Sequence, residues 1–86
     1  MRAAQLLHGT FVCDGHTDTF RNLVKRGGDF NRGTGGWDCS LPRMRQVGLN
    51  LQIEAVYTSL AEVGPTSTVV ALQIFEKIHQ TIEASA

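Results

Sequence analysis

The sequence predicts an α/β chain built on parallel strands, on three observations. Apolar runs with strand character, at Thr10–Cys13 and Leu49–Tyr57, alternate with stretches of helical periodicity. Each strand gives way to a helix, at Thr19 to Arg26 after the first and beyond Pro65 after the second. Strands that alternate with helices are the βα pattern of a parallel sheet. Two strands do not complete such a sheet, because both faces must be covered and a strand pair leaves both outer edges open. Residues 1–86 are therefore expected to form one incomplete domain.

Arg2 to His8 are good helix formers, and Gly9 ends them as a short lead-in helix. Thr10 to Cys13 is the compact β-prone run, with Asp14, Gly15 and His16 at its exit. Phe20, Leu23 and Val24 then recur at i, i+3 and i+4 on one helix face, which Gly27-Gly28 stops. Five glycines between Gly27 and Gly36 read as a mobile surface loop. The loop lacks the Gly-Lys-Ser/Thr of a phosphate-binding loop, and no apolar strand leads into it as a dinucleotide fingerprint requires.

Ser40 is placed to cap a short helix with Pro42 in its first turn and Gly48 at its end. Leu49, Leu51, Ile53, Ala55 and Tyr57 alternate with Asn50, Gln52 and Glu54, the clearest strand in the chain. That pattern fits a half-solvated antiparallel strand. It equally fits a barrel strand with its apolar face on helices and its polar face on a lumen. Gly64-Pro65 is a turn, and Thr66 or Ser67 can cap the last helix. Its apolar stripe is Ala71, Ile74, Phe75, Ile78 and Ile82, with His79 at its surface.

Eight Lys+Arg balance eight Asp+Glu, so the formal net charge is zero. This excludes the basic footprint of a nucleic-acid binder and a polybasic membrane anchor. Gln5 and His8 interrupt the N-terminal apolar run, so no secretory signal is expected, and no stretch reaches the length of a membrane span. The expected location is cytoplasmic. Cys13 and Cys39 form no CxxC and are expected to be free thiols.

The chemistry concentrates in Cys13-Asp14-Gly15-His16-Thr17-Asp18-Thr19. His16 and Asp18 stand two apart, and on an extended backbone positions i and i+2 share a side. An imidazole and a carboxylate together can hold a divalent cation such as zinc. A bare HxD is common, and an Asx-type turn is its ordinary alternative.

The stretch Phe11-Val12-Cys13-Asp14-Gly15-His16-Thr17-Asp18-Thr19 resembles the opening strand of the membrane dipeptidase (renal dipeptidase-like) family of zinc dipeptidases. A second stretch, Leu41-Pro42-Arg43-Met44-Arg45-Gln46-Val47-Gly48-Leu49-Asn50-Leu51-Gln52 on to Ala55-Val56-Tyr57, is similar to that family's DLPRMREGGVGAQFFAVY segment. Ser40, Val47 and Glu54 stand where the family usually has Asp, Gly and an aromatic residue. These departures bear on subfamily and substrate preference more than on the metal pair.

The resemblance implies the first βα units of a (β/α)8 TIM-barrel metallohydrolase, in truncated form. It implies hydrolysis of dipeptides by a metal-activated water, with His16 and Asp18 as metal ligands and Zn2+ as cofactor, binuclear in the full-length enzyme. The implied partner is a dipeptide substrate, with a homodimer open to the full-length chain. Asp14 would orient the loop rather than bind metal. The family's bridging Glu, its further His ligands and its proton shuttle have no matching position here. The segment alone is therefore expected to hold zinc poorly and to hydrolyse nothing. The alternative is a non-catalytic remnant acting as an interaction module, its open sheet edge recruiting a strand. A third reading, an unrelated local metal site of His8, Cys13, His16 and Asp18, requires residues that flank a strand to converge.

Overall fold

A computed structural model of the chain describes residues 2–85. In chain order the elements are α1 (Ala3–His8), β1 (Cys13–Thr17), α2 (Thr19–Arg26), α3 (Leu41–Val47), β2 (Leu51–Glu54), a 3-10 turn (Leu60–Glu62) and α4 (Pro65–Ser85). The two strands pair in parallel, which excludes the antiparallel reading of β2. The fold is thus a small mixed α/β arrangement on a two-stranded parallel sheet.

Three helices form where their end signals lie. Gly9 closes α1. Gly27 closes α2, with its N–H donating to the carbonyl of Leu23. Ser40 caps α3, accepting from the Arg43 amide at 3.4 Å, and Gly48 ends it in the left-handed conformation at φ 78°. A side chain at position 48 would also press on the imidazole of His8, whose Nε2 sits 3.1 Å from the carbonyl of Gln46. Gly48 therefore both stops α3 and admits α1 against it.

The first strand lies further along the chain than the Thr10–Cys13 expectation. The Val12 amide donates to the side-chain oxygen of Asn50 at 2.8 Å, and the Val12 carbonyl accepts from the amides of Asn50 and Leu51. Asn50 thus occupies the donor that would extend the ladder backwards, and Phe11 stays 70% exposed. Cys13 faces Leu51, Asp14 faces Gln52 and Thr17 faces Glu54. Three steps on β1 match two on β2, so a bulge falls at Gly15 and His16.

The core joins Phe20 and Leu23 of α2 to Val70 and Ile74 of α4, with Phe30, Trp37, Val56 and Ile78 packed against it. Positions 70, 74 and 78 of α4 therefore face α2, at a spacing of one helical turn each. The anticipated stripe is split, because Phe75 and Ile82 stay exposed. An eight-residue helix covers only one side of a 21-residue one. The last helix also opens at Pro65, so Thr66 and Ser67 lie inside its first turn. The Ser67 hydroxyl donates to the Gly64 carbonyl at 2.7 Å.

The glycine-rich segment is a hydrogen-bonded turn, contrary to the mobile-loop expectation. Asp29 bridges antiparallel to Thr34, and its carboxylate accepts from the amides of Asn31 and Arg32. Trp37 Nε1 donates to the Gly27 carbonyl at 3.0 Å, and the Phe30 ring packs 5.0 Å from that of Phe20. Gly28 has φ 115°, and an added Cβ would come within 2.6 Å of the Thr34 carbonyl oxygen. Only glycine permits that closure.

Behind the core, Glu62 ties the β2–α4 connection to α2. Its carboxylate takes Arg21 Nη2 at 2.6 Å, Lys25 Nζ at 2.9 Å and the Ser59 amide at 3.1 Å. The hydrogen bond from Lys25 contributes most to holding the Glu62 carboxyl below its ordinary value. Its stabilising effect is thus present above the unfolded-state value near 4.5 and is lost as pH falls through the native one. Glu62→Gln is expected to lower the melting temperature at pH 7, with the gap to wild type closing in acid. A calorimetric pH series checks this, and a gap that persists unchanged to low pH contradicts it.

The molecule is elongated, 51 × 25 × 21 Å, with a radius of gyration of 14.6 Å. A compact chain of 86 residues has about 12 Å. Among the described residues, none of the four buried apolar side chains comes from a strand. No helix among the described residues is long and apolar enough to cross a membrane.

Candidate metal centre

His16 lies in β1 and Asp18 is the residue from which α2 starts. Asp18 is therefore not extended (φ −104°, ψ 20°), so strand alternation is not what brings the pair together. The chain turns from strand to helix at Asp18, and this swings its carboxylate back toward the imidazole. His16 Nε2 and Asp18 Oδ1 end 3.1 Å apart, both on side chains open to solvent. Asp18 Oδ1 is itself buried and makes no hydrogen bond among the described residues.

The pair borders a polar cleft of about 330 Å3 whose walls include Asp14, Asn22, Trp37, Asp38, Cys39 and Gln52. Gln52 Nε2 donates to Asp14 Oδ2 at 2.6 Å. That bond turns Asp14 toward β2. Thr17 and Thr19 share a hydroxyl hydrogen bond of 2.8 Å that tightens the strand-to-helix turn.

Glu54 has no assigned role in the sequence, yet it is the most perturbed acid at this end of the sheet. The register sets it opposite Thr17, next to the turn that carries Asp18. Both of its carboxylate oxygens are buried without a hydrogen-bond partner. Burial first, then the Asp18 charge, push its carboxyl up to about 7; the nearby Phe20 amide opposes this, and the Asp14 charge adds a smaller push. The alternation of Gln52 and Glu54 with apolar residues is the signal that could have found both.

Cys39 donates to Gln52 Oε1 at 3.7 Å, and burial followed by the Glu54 charge raises its thiol above the ordinary value. It is accordingly a protonated, poorly nucleophilic thiol. Both cysteines are free, as expected. His8 contacts α3, away from His16, so the four residues of the local-site reading do not converge. Among the described residues, no group of three His, Cys, Asp or Glu side chains is arranged to hold a metal ion. Compared with models of known protein families, with curated proteins and with solved structures, the chain matches none.

Proposed function

We propose that the chain supplies the first two βα units of a (β/α)8 zinc dipeptidase, with His16 and Asp18 as two ligands of one metal. The reading is carried by the 3.1 Å approach of His16 Nε2 to a buried Asp18 oxygen that lacks a hydrogen-bond partner. An acceptor buried without a donor is costly, and a cation would relieve it. The donor set, one imidazole nitrogen and one carboxylate oxygen, is one that zinc accepts. The pair therefore fits as part of a coordination sphere, and the remaining ligands would come from elsewhere in a completed barrel.

In that role His16 would be neutral and bind through Nε2, while Asp18 would offset part of the cation's charge. Zinc at such a site supplies a water acidified enough to attack a peptide carbonyl near neutral pH. Gln52 would keep Asp14 out of the ligand set by holding it toward β2. The cleft beside the pair would receive the dipeptide, with the Trp37 turn as its wall.

The test is complementation. The 86-residue chain is mixed with a dipeptidase of the resembled family that lacks its own first two βα units. Dipeptide hydrolysis should return, and His16→Ala in the short chain should cut it by about a hundredfold or more, since even partners of ligands are worth about 10–100-fold. Two chains that bind each other and still hydrolyse nothing would sink the reading.

A further inference from the structure

The surface of the molecule is larger than its mass warrants. It exposes 6051 Å2, whereas a compact 9.4 kDa chain exposes about 5,000 Å2. The surplus of about 1,000 Å2 exceeds the roughly 800 Å2 that one partner gives to a standard specific interface.

The sheet shows where this surplus is usable. The outer edge of β1 is bulged and carries Asp14, Gly15 and His16, features that blunt an edge. The outer edge of β2 is regular. Leu51 and Ala55 donate their amides to β1, so by alternation the amides of Gln52 and Glu54 point to the open side. On one face of the same strand Leu51 and Ile53 are 46% and 52% exposed. The net charge of zero offers no repulsion between copies.

We propose that the open edge of β2 is a self-association surface, and that a second copy of this chain pairs with it antiparallel about a two-fold axis. A register centred on Gln52 places Leu51 of each copy against Ile53 of the other. It also lets the two Gln52 backbones exchange both hydrogen bonds. The result is a four-stranded sheet, ordered β1–β2–β2–β1, with one such interface per copy. In a completed barrel the next strand would take this same edge, so self-pairing and barrel completion compete for it, whereas the pairing itself draws on the strand edge and not on His16 or Asp18.

The test is sedimentation equilibrium of the full 86-residue chain over a concentration series. The expected mass is twice 9.4 kDa. Ile53→Lys, at a half-exposed position outside the core, should weaken the dimer by about tenfold or more while leaving the helical circular dichroism unchanged. Leu60→Lys, at a position 92% exposed elsewhere, should leave the dimer intact. Mixing Ile53→Lys with Leu51→Glu should restore pairing, because the register sets the new charges opposite each other. A monomer at every concentration, assemblies larger than two copies, a mass insensitive to Ile53→Lys, or no rescue on mixing would each overturn the proposal.

Discussion

Ile74→Ala is expected to unfold much of the chain at room temperature. Ile74 is fully buried, and among the described residues it is one of four buried apolar side chains. Cutting a core isoleucine to alanine costs about 2–5 kcal/mol. Folded domains hold about 0.05–0.15 kcal/mol per residue, and a core this thin sits at the low end of that range. The loss is thus comparable to the whole margin. Far-ultraviolet circular dichroism through a urea titration reads it directly. A variant that keeps the wild-type urea midpoint would show that the contact between α2 and α4 is not what stabilises the fold.

The second large effect has the opposite sign. Glu54→Gln is expected to stabilise the protein above neutral pH. A carboxyl raised from 4.5 to about 7 binds more protons in the folded than in the unfolded chain, so wild-type stability falls as pH climbs across that interval. At about 1.4 kcal/mol per unit the full shift amounts to roughly 3 kcal/mol. Glu54 keeps partial access to solvent, which reduces the figure to on the order of 1 kcal/mol. Glutamine keeps the shape and cannot ionise, so the variant's stability should be flat between pH 5 and 8 over this contribution. Thermal melts of both proteins across that range should diverge with rising pH and converge in acid. Parallel curves would mean that the Glu54 charge is already compensated.

Local signals made most of the helices legible. Ser40, Pro42 and Gly48 fix α3 through a cap, a preset backbone angle and a left-handed stop, all within nine residues. The extent of α2 likewise follows from its periodicity and from Gly27. What stayed hidden depends on partners distant in sequence. The β1 boundary is set by Asn50, 38 residues from Val12. The buried side of α4 is chosen by α2, which apolar residues at positions 71 to 82 cannot reveal on their own. The glycine-rich segment looked featureless because its order comes from one carboxylate, Asp29, and one indole, Trp37.

At the candidate site, the pairing of His16 with Asp18 was legible from their spacing, although the backbone geometry behind it was not. Glu54 was visible only as one polar letter in an alternating strand. Its burial, and its proximity to two other carboxylates, arise from strand register.

Trp37 is the single tryptophan of the chain, and its indole is fastened to Gly27 while its ring borders the same cleft as His16 and Asp18. The molecule therefore carries its own optical gauge. Its fluorescence emission, free of any second indole, reports directly on whatever enters that hollow or loosens the turn beside it.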